Sequence, residues 1–546
     1  MSIRIRIAAI LLSGLAIVLF ALDITRNQTR SYASDRTSDN ESQSNNARSA
    51  GSTGRSTSAL PADMELAHEI DRAIDESEFA SARWGGFVMS LRDGRVLYSR
   101  DGDKLFTPAS NMKIYTTAVA LDLLGADYRW RTSVYAQAQP DANGTINGDL
   151  TLYGRGAPDL VSLPKENHPS LAQLADEIYA RGVRRVRGNI IGDESYFRGN
   201  SFGDGWLWND IQWYFGAEAS ALSVDSNEID LTITPASTTG KPAAVTLNKS
   251  GDYFHIRNNV ATVDRNVIPS VGINRGVSDN ELIVWGEFPA GGKGFGARLS
   301  VHNPALWTAT LFKDALAARG ITIDGEPRSR DFRVVASESF DPQRFVELAA
   351  VASKTLGEVV LETNKKSINL NAELILRTLG KVRGAMAPDP DQHKMRERGD
   401  DEAALAIIRV WLERAGIATS NLALHDGSGL SRLDLVTPQV TALLLAAVSK
   451  TPAANTFRSS LPVAGKDGTL AFRMKAAGEH ISAKTGSLTY DDALSGYART
   501  TTGEDLAFSI ICNDSTHRGD SVSVMDKIGT ILVGHATSNG RKAQTK

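Results

Sequence analysis

Apolar positions recur along this chain at two different periods, and the change of period divides it. Residues 7–22 form an almost unbroken apolar run behind Arg4 and Arg6. That is the pattern of an export segment, long for a signal core and short for a comfortable membrane span. A cleaved signal and an uncleaved anchor both fit, and either carries the chain out of the cytoplasm. Residues 27–60 hold Ser, Asn, Thr, Arg, Asp and Gly with almost no apolar positions. They cannot bury enough surface to order themselves and read as a flexible tether. Residues 61–83 return to helical spacing. Alternating runs at 86–91 and 96–100 flank Arg-Asp-Gly-Arg and predict a hairpin. Thr107-Pro-Ala-Ser-Asn-Met-Lys113 then leads into a run where Ile114, Ala118 and Leu121 recur at helical spacing. Pro108 suits the start of that helix and Gly125 its end.

Beyond residue 130 the period shortens. Strand-like runs at 148–153, 186–192, 228–235, 253–257 and 282–288 are punctuated by Gly, Asn, Asp and Pro, and a helical run at 302–320 closes the region. Helical runs follow at 356–364, 370–379 and 403–416, with a charged, Pro-containing loop at 385–401 between the last two. Strand runs at 493–500 and 506–513, joined by a polar turn, predict a second hairpin. A helix at 521–534 precedes a tail expected to fray. The strands at 86–100 and 493–513 are expected to share one antiparallel sheet with helices on its face, an α+β domain. The interval between them is longer than one compact domain needs, so β-rich modules are inserted. The expected organisation is an export segment or anchor at 1–26, a tether at 27–60, catalytic parts at 61–130 and 345–535, an inserted β-rich region at 131–344, and a tail at 536–546.

Composition narrows the function. With 546 residues, 42% of them hydrophobic, the chain has ample core for about two to four domains. A net charge of −3 supplies no basic face for nucleic acid. The single Cys512 excludes an intramolecular disulfide and reads as a core residue. The nine histidines lack ligand spacing, so neither a metal nor another cofactor is expected.

The candidate chemistry lies in three short motifs. Ser110 and Lys113, three apart at a helix start, share a face and put a hydroxyl beside an amine. A helix cap beside a solvated lysine would look the same, and Ser162-Leu-Pro-Lys165 repeats the spacing within a loop. Lys484-Thr485-Gly486 occurs once, on an edge strand leading into the second hairpin. Ser-x-x-Lys, Ser-Asp-Asn and Lys-Thr-Gly belong together in penicillin-interacting serine enzymes. Literal Ser-Asp-Asn triplets fall in the tether at 38–40 and in a turn at 278–280. Ser367-Ile368-Asn369, in a tight link between two helical runs, is the preferred third element.

With these motifs the chain resembles the class C low-molecular-mass penicillin-binding proteins, the D-alanyl-D-alanine carboxypeptidase/endopeptidases of the penicillin-binding protein 4 type. Residues 107–113, 205–216, 364–369, 426–432, 461–470 and 483–488 carry the resemblance, in the family's order. It spans roughly residues 60–535. It implies a penicillin-binding/β-lactamase-like catalytic domain with one inserted module nested in another. It also implies a periplasmic serine peptidase of peptidoglycan peptides, cutting terminal D-Ala-D-Ala, D-Ala–diaminopimelate crosslinks, or both, and trapped covalently by β-lactams. One departure is Ile368, where the family carries a polar residue; it is expected to point away from the cleft.

Roles follow from the resemblance. Ser110 is the nucleophile and Lys113 its base, kept neutral by burial and by the charge of Lys484. Ser367 relays the proton, and Asn369 holds the acyl-side peptide. Lys484 and Thr485 take the terminal carboxylate, and the backbone N–H groups of Ser110 and Ser487, past Gly486, receive the oxyanion. Asp193 matches a family aspartate that meets the diaminopimelate ammonium; a turn aspartate bonding its own backbone is the other reading. Trp206, Trp208 and Trp213 read as a sugar-stacking surface or as buried packing. Two alternatives compete. A β-lactamase is disfavoured by the large insert and by the lack of a deacylating Glu-x-x-x-Asn element. A non-catalytic wall-binding protein is disfavoured by three intact reactive motifs.

Overall fold

The computed structural model describes residues 60–249, 253–334, 339–389, 398–516 and 521–536. The expected export segment, the tether to residue 59, the middle of the 385–401 loop and the tail beyond 536 lie outside them. Among the described residues no helix is long and apolar enough to cross a membrane.

Arg83–Ser90 and Val96–Arg100 form the expected hairpin, and Arg83–Ser90 also pairs along its length with Asp505–Asn513. Asp491–Arg499 and then Ile481–Leu488 extend this sheet to five strands, antiparallel throughout. Side chains alternate between its two faces. Val88, Phe508 and Ile510 join Leu66 and Ile70 of helix Pro61–Asp75 and Ile528 of helix Val522–Gly534. Phe87, Ala507 and Ile511 join Tyr115 and Ala118 of helix Met112–Leu124 and Leu444 of helix Pro438–Val448. Each such Leu, Ile or Phe contributes about 1.5–3 kcal/mol of transfer free energy. The α+β class read from the sequence is the class observed. The first helix stops at Asp75 instead of reaching 83, because Ser77 Oγ donates to Ile74 O and the Trp84 indole donates to Phe79 O, fixing a turn there.

A second core collects apolar residues between Val134 and Ala349, among them Leu152, Leu174, Leu231, Val284, Trp307 and Phe312. Its main sheet orders Pro327–Arg330, Ile190–Asp193, Leu150–Tyr153, Arg129–Ala136 and Val346–Thr355. Three three-stranded sheets accompany it. The sequence run 186–192 is not one strand: it splits into Arg185–Val186 and Ile190–Asp193 around Gly188, whose missing side chain admits the Gly148 backbone. Arg129–Ala136 and Val346–Thr355 pair antiparallel, so the chain enters and leaves this body through neighbouring strands.

From that exit the chain runs directly into helix Leu356–Lys366. Thr355 starts it with a reciprocal cap, its hydroxyl accepting from Glu358 N while the Glu358 carboxylate accepts from Thr355 N. Helix Asn369–Arg383 begins only two residues after its end. Ser367 turns the corner in the left-handed region at φ 59°.

Candidate active site

A single 3-10 turn, Ala109–Asn111, precedes helix Met112–Leu124 and exposes one side of Ser110. The helix is buried on all sides from Met112 to Leu121, not along one stripe, so Lys113 is carried wholly into the interior. Two glycines grip the turn. Gly486, on strand Ile481–Leu488, comes so close that a Cβ would lie 2.8 Å from Pro108 O and 3.1 Å from Ser110 N. Gly429 has φ 78°, and a Cβ there would lie 1.8 Å from Ala109 O. Between them Ala109 sits at φ 48°, a conformation that persists only where its surroundings enforce it.

Lys113 Nζ lies 2.9 Å from Ser110 Oγ. It donates to Asn369 Oδ1 and to Ser428 O, each at 2.6 Å. A neutral amine has two N–H groups, and these two acceptors use both. The lone pair is then directed at the Ser110 hydroxyl, as a base requires. Asn369 Nδ2 donates to Phe215 O at 2.9 Å. Lys484 Nζ donates to Ser367 Oγ at 2.9 Å and to Thr485 O at 2.7 Å. The Thr485 and Thr469 hydroxyls are 2.8 Å apart. Ser487 Oγ donates to Asp492 Oδ1 at the rim.

Burial lowers the pKa of Lys113 to about 7, against Asp426 and Glu373, whose charges favour its ammonium. Burial also holds Lys484 well below its ordinary value, and the charge of Lys113 lowers it further. The repulsion between the two lysines thus registers on Lys484.

Ser110, Ser367, Asn369 and Ser487 line one cleft of about 1460 Å³. Lys113, Lys484, Thr485 and Gly486 stand behind them. Ile368, in the two-residue link between the helices, lines the cleft too, contrary to the expectation that it points away. Asp193 is elsewhere. Its fully buried carboxylate accepts from Arg330 Nη1 at 3.0 Å and from Ser195 N and Oγ at 2.9 and 2.6 Å, the turn geometry combined with an ion pair. Of the tryptophans, Trp206 binds Asp426 and Trp213 is half-buried, whereas Trp208 is 75% exposed.

Three residues beside the site were given no role by the reading of motifs, although two of them fall in stretch 426–432. Asp159 lines the cleft and is 8% exposed; its Oδ2 accepts from Lys354 N at 2.7 Å, and its Oδ1 has no hydrogen-bond partner among the described residues. Burial raises its pKa. Asp426 and Ser428 also act on Lys113. The glycines of Asp426-Gly-Ser-Gly429 were the available signal, marking a loop that must approach another backbone closely.

Residues 66–532 match the family described as the D-Ala-D-Ala carboxypeptidase 3 (S13) family. The chain is 34% identical over 495 residues to a D-alanyl-D-alanine carboxypeptidase of Actinomadura sp. (strain R39), covering 88% of this chain and 87% of that protein. It is 26% identical over 434 residues to the D-alanyl-D-alanine carboxypeptidase DacB of Haemophilus influenzae, covering 78% and 84%. Its fold is similar to the crystal structure of penicillin binding protein 4 (dacB) from Haemophilus influenzae, with a TM-score of 0.71 at 23% identity over 86% of this chain and 98% of that one. The same protein complexed with a β-lactam gives a TM-score of 0.65 at 22% identity, over 87% and 98%.

Proposed function

The chain belongs to the D-Ala-D-Ala carboxypeptidase 3 (S13) family, and on that premise we propose how its residues divide the work of a serine DD-peptidase. The observation that carries the proposal is the placing of Lys113 Nζ, with both N–H groups engaged and Ser110 Oγ at 2.9 Å. Lys113 takes the Ser110 proton as the oxygen attacks the carbonyl of the penultimate D-alanine. The oxyanion forms between the backbone N–H groups of Ser110 and Ser487. The C–N bond then breaks, and the proton passes through Ser367 to the departing amine. Water hydrolyses the Ser110 ester. Lys484 and Thr485 receive the terminal carboxylate of the substrate. Its negative charge draws a proton onto Lys484, and the resulting cation keeps Lys113 neutral. Asn369 steadies Lys113 through Oδ1 and has one further amide N–H for the acyl-side peptide.

The cleft is far larger than a terminal D-alanine needs. That favours the crosslink-cutting activity alongside the terminal one. A stem-peptide ammonium in this cleft would be met by Asp159, whose Oδ1 is buried and unbonded, and not by Asp193, which is already paired. We read residues 1–26 as the means of export and 27–60 as the tether from an inner-membrane anchor. Edman or mass analysis of the mature N terminus distinguishes an anchor from a cleaved signal.

The test is intact-mass analysis after incubation with penicillin. One lasting adduct per chain, absent from Ser110→Ala, is expected. Rapid turnover of penicillin with no adduct would make the protein a β-lactamase. No reaction at all would reject the assignment of Ser110.

A further inference from the structure

Two of the three atoms around Lys113 Nζ are held by one stretch of chain outside the catalytic sheet. Asn369, whose Oδ1 accepts from Nζ, donates through Nδ2 to Phe215 O at 2.9 Å. Ser428, whose carbonyl accepts from Nζ, belongs to a loop gathered around the Asp426 carboxylate. Oδ1 of that carboxylate accepts from Ser428 N and Gly429 N at 3.1 and 2.6 Å. Oδ2 accepts from Ser431 N and Ser428 Oγ at 2.9 and 3.1 Å. The remaining donor to Oδ2 is the indole N–H of Trp206, at 2.9 Å.

Trp206 and Phe215 lie in the same stretch, 203–216, and glycine lets it come close. Gly205 has φ 80°, and a Cβ there would lie 2.5 Å from Ser431 Oγ. Between those two points the stretch is fastened to the second body. Buried Arg275, on strand Ser270–Arg275, donates through Nη2 to Ile211 O at 2.8 Å, and its backbone N donates to Gln212 Oε1 at 3.1 Å. The stretch is therefore anchored at its root and bonded at two points beside the base.

We propose that residues 203–216 are a positioning arm for the catalytic base: Trp206, acting through Asp426, and Phe215, acting through Asn369, hold the two oxygens that orient Lys113 Nζ toward Ser110. The inference rests on the serine DD-peptidase reading and extends it, because it makes the second body a structural participant in acylation.

The charged groups around Lys113 give the arm a measurable signature. Asp426 and Glu373 favour its ammonium, Glu373 is paired with Arg377 at 2.7 Å, and Lys484, itself held well below its ordinary value by burial and by the charge of Lys113, is the other amine beside it. Asp434 packs on Asp426 and is held well above the usual carboxylate range by burial and by that neighbour. The Trp206 indole draws off part of the Asp426 field. Without it, Asp426 pulls harder on the Lys113 proton, and acylation needs a higher pH. Without the Asp426 charge, Lys113 loses its proton more readily, and acylation persists to lower pH.

The experiment measures the rate of acylation of the purified full chain by a fluorescent penicillin from about pH 5 to about pH 9, across the range where a general base near neutrality titrates. The wild type is expected to rise with a midpoint near 7. Trp206→Phe is expected to be slower by about tenfold, the scale of a small displacement of a catalytic group, with its midpoint moved up. Asp426→Asn is expected to be slower with its midpoint moved down. A merely structural role would lower both rates without moving the midpoints in opposite directions. Wild-type rate and midpoint in Trp206→Phe overturn the proposal. No adduct on the wild type overturns the DD-peptidase reading instead, so the two failures are distinct. Should Asp426→Asn not fold, Trp206→Phe decides alone, since it leaves every other donor on the carboxylate in place.

Discussion

Lys113 is a buried amine whose charged form two carboxylates favour, and its position joins stability to chemistry. Folded, it releases its proton at about 7; unfolded, at about 10.4. Between those values the unfolded state binds more protons, so this group adds to stability as pH rises across that window and adds nothing to the pH slope below it. Replacing it with Met is therefore expected to flatten the pH dependence of the melting temperature between about 7 and about 10 relative to wild type. On the role proposed for Lys113 the same replacement removes the base, and acylation is expected to fall by about 10²–10⁴. Both follow from one calorimetric series and one rate measurement. A variant that keeps the wild-type slope would show that Lys113 is not the group that titrates.

The residues of this site were legible in the sequence where contact partners are also neighbours. Ser110 and Lys113 meet because one turn of helix brings them together. The Ser428 carbonyl lies 315 positions from Lys113, and the glycines around it mark a close-approaching loop without saying what that loop approaches. Of the two readings of Asp193, the turn aspartate is the geometry found, while its ion pair was not legible: a parallel ladder sets Arg330 opposite it, and nothing in Gly192-Asp-Glu-Ser195 announces a partner 137 residues away.

At the scale of elements, a strand, a helix-linking corner and a glycine loop must all close on one 3-10 turn, and the glycines set how nearly they do so. Gly429→Ala is expected to be the more damaging change. It combines a left-handed φ with a Cβ 1.8 Å from the Ala109 carbonyl oxygen. The strain alone is worth about 1–3 kcal/mol. A lower melting temperature and a loss of acylation together are expected. Gly486→Ala meets its neighbours at 2.8–3.1 Å and can be relieved by a small shift of strand Ile481–Leu488. It is expected to fold and to acylate about 100-fold more slowly, since a shift of about 1 Å at the reacting atoms has that effect. A slow, well-folded Gly486→Ala beside an unstable Gly429→Ala is the pattern to look for in paired melting and rate measurements; equal stability of the two would contradict it. The elements themselves were largely legible, because period-two and helical spacing survive in a single sequence. What was not legible was the all-round burial of helix Met112–Leu124, which has no polar face to betray its depth, and the splitting of run 186–192 by a backbone contact at Gly188.

For the whole molecule, the position of the two chain crossings matters most. Arg129 and Thr355 are paired across one ladder, so the segment between them begins and ends at the same place. It encloses its own core, from Val134 to Ala349. Residues 129–355 are therefore expected to fold when produced alone, with a single cooperative thermal transition. That transition should lie below that of the whole chain. Phe197, Ala219 and Ala221 pack on Leu370 and Leu374 of helix Asn369–Arg383, and excision uncovers them. Each large side chain so exposed forfeits about 1.5–3 kcal/mol. Stretch 203–216 would also lose Asp426 and Asn369 while keeping its root on Arg275. Amide exchange is thus expected to be slow at Leu231 and Val284 and fast at Trp206 and Phe215 in the excised segment, whereas in the whole chain Phe215 and Trp206 are held at their far ends. A non-cooperative melt would mean that helix Asn369–Arg383 is part of the second core and that the segment is no independent body. A cooperative melt with Trp206 still protected would mean that the arm is ordered by its root alone, and its bonds to the catalytic side would then follow from a shape already set.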